Sequence, residues 1–169
     1  MREGNAFRPS NFEYAQPEDQ FAFAQEIFGS RVPLGVRPTL DDLAYFRQHG
    51  EPFATPGTYG HSRGAQRESF GNAYRAVEAD PSLTHVQGFV HGFAGFVYPR
   101  AWCVDASGQL VELTYDSATA NGSERYFGVR FSRFELAVLI AHGRTFDWYE
   151  GFSGVLRHDA SLRADGGRT

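Results

Sequence analysis

Apolar residues recur at helical spacing in three segments of the first half of the chain. In residues 16–28, 39–50 and 66–79 they stand three or four positions apart, which predicts three helices. Pro17 suits the first turn of the first helix, because its ring already holds the backbone angle that a helix uses. The stretch 51–64 is rich in Pro, Gly and His, and we expect it to be a loop.

Farther along, the pattern changes to an alternation of polar and apolar residues, which is typical of strands. The predicted strands are residues 84–98, 101–106, 109–115 and 126–131. Residues 107–108, a Ser-Gly pair, form a turn between the second and third of these strands. The two flanks of this turn are therefore expected to pair as a hairpin.

Two further helices are predicted after the strands. Ser132 and Glu135 have the spacing of a capping box for the apolar helix 134–142. Thr145 is expected to cap a weaker helix that carries Trp148 on its apolar face. The order of helices, strand meander and helices predicts an α+β fold with a central antiparallel sheet.

The organisation of the chain is simple. It shows no repeat, low-complexity block or long linker, so we expect a single domain over residues 1–169. The polar segments 1–15 and 158–169 are expected to be peripheral or flexible tails. No apolar run reaches the roughly 18 residues of a membrane helix, and a single Cys fits a reducing compartment. We expect a cytoplasmic protein, or a virion protein if a phage encodes it.

Composition narrows the chemistry. The chain has 16 Arg and no Lys, which excludes reactions that depend on a lysine, such as Schiff-base formation. Its net charge is −4 and no stretch concentrates Arg, so a nucleic-acid partner is not expected. The 16 Phe either fill a core or form an assembly surface, and composition does not choose between the two.

Three features that could suggest a site have structural explanations. Cys103 alternates with apolar neighbours in a strand, which favours a small buried residue over a nucleophile. The glycines of residues 88–95 lack the spacing of a nucleotide-binding loop and indicate a twisted or bulged strand. His85 and His91 share a strand face, but about 20 Å would separate them, so they cannot hold one metal ion. We expect neither a metal nor a cofactor.

Five segments resemble those of a known superfamily. They are residues 66–74 (QRESFGNAY), 84–89 (THVQGF), 100–105 (RAWCVD), 111–115 (VELTY) and 126–131 (YFGVRF). They resemble a group of small bacterial and phage proteins of the papain-like and transglutaminase-like superfamily, which implies that fold. In this group a Cys opens a helix, a His opens a His-Ala-Trp strand, and an Asp lies in a Val-Asp-Pro-Thr-Trp segment of the following strand.

Carried over position by position, the resemblance places the nucleophile at Ser69, the base at Arg100 and the orienting acid at Glu112. All three residues depart from the group's pattern. A serine hydroxyl needs a strong base, whereas arginine, with a pKa above about 12, stays protonated and cannot accept the proton. We expect Arg100 and Glu112 to form an ion pair instead. The resemblance therefore implies a degenerate triad.

These expectations favour a noncatalytic domain that acts as a binding or structural module, such as a component of a phage virion or assembly, with a protein partner or a second copy. Two alternatives stay open. One is an active hydrolase or acyltransferase with a rebuilt Ser or Cys site, in which His61 or His91 serves Ser69 and Gln66 is an accessory. The other is a small-anion binder that uses Arg100 and the amides at the start of the Ser69 helix.

Overall fold

The computed structural model describes residues 13–54, 68–92, 94–114 and 123–141, and the backbone of residues 58–59. Its elements in chain order are α1 (Pro17–Phe28), α2 (Leu40–His49), β1 (Glu51–Phe53), β2 (Thr58–Tyr59), α3 (Ser69–Ala79), β3 (Thr84–His91), β4 (Val97–Val104), β5 (Leu110–Glu112), β6 (Arg125–Phe131) and α4 (Arg133–Ala141). Helices precede and follow the run of longer strands, so the predicted α+β class is confirmed.

The strands form one sheet in the order β1-β6-β3-β4-β5-β2. Every neighbouring pair is antiparallel except β2 and β5, which run parallel. β3 lies between β4 and β6, and its Gly88 stands opposite both Arg100 and Gly128. This central triple of strands carries Arg100, whereas the other two candidate residues, Ser69 and Glu112, lie on α3 and β5.

Local signals set the helix ends, as the sequence predicts. α1 begins at Pro17 and ends before Gly29, whose φ of +67° suits a residue without a side chain. At α2, Thr39 Oγ1 accepts the Asp42 amide proton at 3.0 Å. At α4, the capping box forms, with the Ser132 amide donating to Glu135 Oε2 at 2.8 Å.

Two predictions about the strands are wrong. The predicted strand 84–98 is two strands, because the chain turns between them, with the Gly92 amide donating to the Phe96 carbonyl at 2.9 Å and Gly95 at φ +79°. β4 then runs from Val97 to Val104 instead of starting at Ala101. Of the segment 88–95, predicted to be a twisted or bulged strand, residues 88–91 belong to β3, and pairing at Gly88 is continuous on both sides, without a bulge. Apolar residues on both sides of the turn hid it from a pattern-based reading.

The predicted loop 51–64 is also not wholly a loop. Its first three residues form β1, which pairs with β6, and residues 58–59 form β2 beside β5. Pro52 is tolerated there because β1 is an edge strand, where one side of the backbone needs no ladder partner. The hairpin predicted around residues 107–108 is confirmed by the pairing of Val104 with Leu110.

The two faces of the sheet carry different clusters. On one face, α1 and α2 pack through Phe23 and Phe46 on Phe89, and α3 packs on Ala101 and Cys103 of β4. The opposite face carries an aromatic cluster, and its members include Phe53, Trp102, Val104, Leu110 and Tyr126. Alternation along β4 therefore assigns odd-numbered residues to the helical face and even-numbered residues to the aromatic face.

Part of the predicted N-terminal tail is packed. The Ala15 amide donates to the Pro38 carbonyl at 3.0 Å, the Leu40 amide donates to the Glu13 carbonyl at 2.9 Å, and Ala15 is buried. The rest of both predicted tails and the predicted helix at Thr145 lie outside the described residues. Among the helices that are described, none is long and apolar enough to cross a membrane.

Candidate functional site

Ser69 is the first residue of α3 and is almost fully buried. Its Oγ accepts a hydrogen bond from the Ala101 amide at 3.4 Å. The register of β4 and β5 places Trp102 opposite Glu112, the last residue of β5, so Ala101 lies one residue past the end of this ladder. Ser69 thus satisfies a backbone donor that the neighbouring strand does not reach.

Arg100 and Glu112 form the ion pair that the sequence predicts. Arg100 Nη2 lies 3.3 Å from Glu112 Oε1, and the two side chains are only 3% and 1% exposed. The contact involves one guanidinium nitrogen and one carboxylate oxygen rather than a bidentate pair. The Arg100 guanidinium carbon also lies 5.9 Å from the centre of the Tyr98 ring.

Glu112 has further donors on both carboxylate oxygens. The Thr114 amide donates to Oε1 at 2.8 Å, and the Tyr126 hydroxyl donates to Oε2 at 3.1 Å. Burial raises the pKa of Tyr126, and the Glu112 charge raises it further, so this phenol stays protonated and remains a donor. The carboxylate is therefore held by a cation, a phenol and an amide.

This network continues to α3. Asn72 Nδ2 donates to Thr114 Oγ1 at 3.2 Å, and Arg75 Nη2 donates to Asn72 Oδ1 at 2.7 Å. Arg75 in turn pairs with Glu68 at 3.2 Å at the start of the helix. The polar chain ties the first turns of α3 to the end of β5, which is a structural function.

The three carried-over positions do not converge as a catalytic triad. Arg100 is an even-numbered residue of β4, and its partner Glu112 accepts a hydrogen bond from Tyr126 of the aromatic face. The residue of β4 that faces α3 near Ser69 is Ala101. If the resemblance were aligned one position further along, Ala101 would take the place of Arg100 beside Ser69. Its methyl group cannot act as a base.

The accessory histidines do not supply that base within the described residues. His91 lies at the far end of β3, four residues and about 13 Å from Gln87, which pairs with Ala101. Its ring stacks on Phe28, with 5.8 Å between centroids, and its Nδ1 lies 3.4 Å from Arg125 Nη2. Burial, and then the Arg125 charge, lower its pKa. His61 and Gln66 fall outside the residues that the structure describes.

The structure reveals one neighbour that sequence reasoning missed. His85 pairs across the β3–β4 ladder with Cys103, so the only thiol has an imidazole beside it. Burial raises the pKa of the Cys103 thiol to about 12, with the Glu112 and Asp80 charges adding to the effect. Burial lowers the pKa of His85 to about 4, and the nearby Ala73 carbonyl opposes this only in part. Both groups are neutral at neutral pH, so the pair does not generate a thiolate.

The hydrogen bonds confirm that this is no nucleophile–base pair. The Cys103 thiol donates to the Ala73 carbonyl at 3.5 Å, and it makes no hydrogen bond with His85. Cys103 is buried, as its alternation in the strand predicts. The register of the β3–β4 hairpin would have predicted that His85 and Cys103 are neighbours. This register depends on the turn between the two strands, which the sequence pattern does not show.

Metal ligation and similarity to known proteins give no further assignment. In the described part of the chain, no group of three or more His, Cys, Asp or Glu residues is placed to hold a metal ion. No family model matches the chain, and neither a curated protein nor a solved structure does. The functional conclusion must therefore come from the geometry of the sites themselves.

Proposed function

We propose that this protein is a noncatalytic domain of the papain-like and transglutaminase-like type, kept as a structural or binding module. The observation that carries the proposal is the buried pair of Arg100 and Glu112, 3.3 Å apart, at the positions to which the resemblance assigns a base and its orienting acid. A guanidinium stays protonated and cannot accept a proton from a nucleophile.

The surroundings of Ser69 support the same conclusion. Its Oγ already accepts the Ala101 amide, and no imidazole or carboxylate contacts it in the part of the chain that is described. A serine hydroxyl without a positioned base is a poor nucleophile near neutral pH. The positions that an enzyme would use for acid–base chemistry therefore serve the packing of α3 on the sheet.

The partner of such a module would be a protein, as in a phage virion or another assembly. Among the described side chains, two large apolar ones are exposed, Phe96 to 67% beside the β3–β4 turn and Phe134 to 46% on α4. Exposed aromatic residues are enriched where proteins bind one another. Sedimentation of the parent and of Phe96→Ser and Phe134→Ser over a range of concentrations tests whether a second copy is that partner.

The test of the noncatalytic conclusion is active-site labelling of the full chain. A fluorophosphonate probe is expected to leave Ser69 unmodified in the parent, as in Ser69→Ala, under conditions that label a serine hydrolase completely. Modification that maps to Ser69 by mass spectrometry and disappears in Ser69→Ala would establish an active serine and overturn the proposal.

The family relationship needs a separate experiment. The thiol pKa at position 69 is measured by iodoacetamide kinetics against pH in S69C and in S69C/R100H/E112D. A lower thiol pKa in the triple variant supports a shared layout with papain-like enzymes. An equal thiol pKa in the two variants would contradict the assignment of positions 69, 100 and 112 to a papain-like triad. The proposal would then be a structural module that is not related to these enzymes.

A further inference from the structure

The two exposed phenylalanines of the described residues lie at opposite ends of the sheet. Phe96, which is 67% exposed, precedes β4, and Phe134, which is 46% exposed, follows β6 at the start of α4. β3 spans the distance between them, because its last residue, His91, pairs with the first residue of β4 and its second residue, His85, pairs with the last residue of β6. A strand of eight residues extends roughly 24 Å, so the two rings belong to separate surfaces.

The surface around Phe96 carries three exposed arginines, and we call it the hairpin end; its residues are Phe96, Arg31, Arg37 and Arg125. Arg125 of β6 pairs with His91, and His91 pairs with Val97, the residue after Phe96. Two strand spacings, about 10 Å, therefore separate the Cα atoms of Arg125 and Val97.

The other two arginines of the hairpin end come from the loop between α1 and α2. Gly35 of this loop packs against the start of β4, since a Cβ there would lie 3.2 Å from the carbonyl oxygen of the first residue of that strand. Arg31 and Arg37 stand four and two residues from Gly35. The Arg31 guanidinium lies 5.5 Å from the centre of the Phe21 ring. The Arg37 guanidinium lies 4.4 Å from the centre of the Tyr14 ring.

The three arginines of the hairpin end form no ion pair with a carboxylate of the described residues, unlike Arg47, Arg75, Arg100 and Arg130. Glu124, which precedes Arg125, is half-buried, and its charge acts on Tyr126 of the aromatic face. Glu18 of α1 stands one helical turn before the ring under Arg31 and makes no ion pair with it. The hairpin end thus presents positive charge around an exposed phenyl ring.

The surface around Phe134 carries mainly the opposite charge. Here α3 and β4 end and β3 and α4 begin, and we call this surface the α4 end; its residues are Phe134, Glu78, Asp80, Asp105 and Glu135. Hydrogen bonds from neighbouring serines lower the pKa of Asp80 and of Asp105, so both carboxylates stay ionised near neutral pH. Arg133 also lies here, but its guanidinium already donates to the Val77 carbonyl. Four carboxylates therefore outnumber one described cation.

We propose that copies of this chain associate head to tail, with the hairpin end of one copy on the α4 end of the next. Phe96 and Phe134 form the apolar part of this interface, and the arginines of one copy face the carboxylates of the other. The inference rests on the proposed structural role and names its partner, a second copy.

Charge selects this arrangement over a two-fold contact. Two hairpin ends would bring like charges together, and so would two α4 ends, whereas unlike ends attract. The two ends of one copy lie too far apart to meet, so each contact needs a further copy. An interface between different surfaces continues into an open chain or closes into a ring.

The first test is sedimentation velocity of the full chain at pH 7 over a range of concentrations. The parent is expected to form species larger than a dimer as its concentration rises. Raising the NaCl concentration from about 0.1 M to about 1 M shortens the screening length from about 10 Å to about 3 Å, so the association is expected to weaken. This measurement needs no variant and therefore does not depend on how a substitution folds.

The second test blocks one end at a time. The double variants Phe96→Ser, Arg125→Glu and Phe134→Ser, Asp80→Arg change only exposed residues, and each is expected to associate with itself at least about tenfold more weakly than the parent. Each variant keeps the end that the other lacks, so a 1:1 mixture is expected to form dimers and nothing larger. The control Arg47→Glu reverses a charge on α2, outside both ends, and is expected to associate as the parent does.

Three results would overturn the proposal. One is a parent that stays monomeric at every concentration, which would leave the two ends to a different protein. Another is a parent that stops at a dimer, which would indicate a two-fold contact. The third is a mixture of the two blocked variants that forms no dimer. None of these results affects the labelling of Ser69, so a failure of head-to-tail assembly is distinguishable from a failure of the noncatalytic conclusion.

Discussion

The two faces of the β3–β4 hairpin each bury polar side chains, and the two sets differ in how fully they are bonded. On the aromatic face, the Glu112 carboxylate receives Arg100, the Thr114 amide and the Tyr126 hydroxyl. On the helical face, His85 and Gln87 are also buried, yet neither side chain makes a hydrogen bond in the described residues, although the Ala73 carbonyl lies near enough to His85 to affect its pKa.

This difference separates a hydrogen-bonded network that holds the strands together from buried polar groups that the surrounding residues leave without bonds. The Glu112 carboxylate has donors on both of its oxygens, and these bonds hold the strands and α3 in place, although the Trp102 indole N–H on the same face has no hydrogen-bond partner in the described residues. An unsaturated buried group keeps its capacity and is stabilised only when something enters beside it. On the helical face, the polar atoms without hydrogen bonds belong to two residues that carry no formal charge at neutral pH, His85 and Gln87.

The largest expected effect is on the saturated network. Glu112→Ala leaves the buried Arg100 charge without its carboxylate, and we expect the free energy of unfolding to fall by about 3–5 kcal/mol, measured by urea denaturation. The matched control is Glu51→Ala, which breaks the exposed pair with Arg130 and is expected to cost less than about 1 kcal/mol. Similar small losses in both variants would contradict a structural role for the buried pair.

Removing both charges together sharpens this result. The double variant Arg100→Met, Glu112→Leu has no unpaired buried charge, and we expect it to be markedly more stable than Glu112→Ala. Double-variant stability as low as that of Glu112→Ala would show that hydrogen bonds to Thr114 and Tyr126, rather than the ion pair, dominate the network.

The unsaturated face is expected to show itself in the pH dependence of stability. The pKa of His85 falls from 6.5 to about 4 on folding, so the unfolded chain binds a proton more readily than the folded chain. The contribution of His85 to stability is therefore complete above pH 6.5 and is lost as the pH falls to about 4, by about 3 kcal/mol in total.

The measurement is urea denaturation from pH 8 to pH 4 on the parent and His85→Leu. The unfolding free energy of the parent is expected to fall relative to that of His85→Leu as the pH falls, because only the parent has an imidazole whose protonation stabilises the unfolded chain. Cys103, whose pKa burial raises to about 12, and Asp80, whose pKa its bonds to Ser82 lower, are titratable groups nearby, and neither is expected to titrate between pH 8 and pH 4 in the folded chain. A difference that stays constant with pH would mean that the folded imidazole titrates normally.

Local signals allowed much of the fold to be predicted. The capping residues Thr39 and Ser132, Pro17 at the start of α1 and the Ser107-Gly108 turn act within four or five residues, so the printed sequence contains everything that determines them. The Arg100–Glu112 pair was also predictable, because resemblance and charge both pointed to it.

Features that depend on register could not be predicted. The turn at Gly92 and Gly95 is flanked by apolar residues on both sides, so alternation runs through it without a break. Unless that turn is recognised, the sequence gives no reason to expect that His85 pairs with Cys103. β1 is three residues long and exists because β6 offers an edge, which is a tertiary cause. The free bonding capacity of His85 follows from the same long-range packing.

A smaller effect is expected where the aromatic face meets the central strands. A Cβ at Gly128 would lie 2.8 Å from the Trp102 ring and 2.7 Å from the Gln87 carbonyl oxygen. Because both neighbours are packed, we expect Gly128→Ala to lower the free energy of unfolding by about 2 kcal/mol. Thermal unfolding of this variant and of Gly128→Ala, Trp102→Phe tests the cause. The smaller Phe ring should recover part of the stability that Gly128→Ala loses. If the effects of Gly128→Ala and Trp102→Phe simply add, the contact between residue 128 and Trp102 is not the cause.

The smallest expected effect is at Ser69, which stands where α3 meets β4 between the two polar sets. Ser69→Ala leaves the buried Ala101 amide without its acceptor, and because the hydrogen bond is long, at 3.4 Å, we expect a loss of only about 1 kcal/mol. Hydrogen exchange of the Ala101 amide should accelerate in this variant. In the exposed control Ser82→Ala it should not, because that hydroxyl bonds Asp80 instead. Unchanged exchange at Ala101 would show that the Ser69 hydroxyl does not protect this amide. The hydroxyl would then have no structural role and would be available for chemistry.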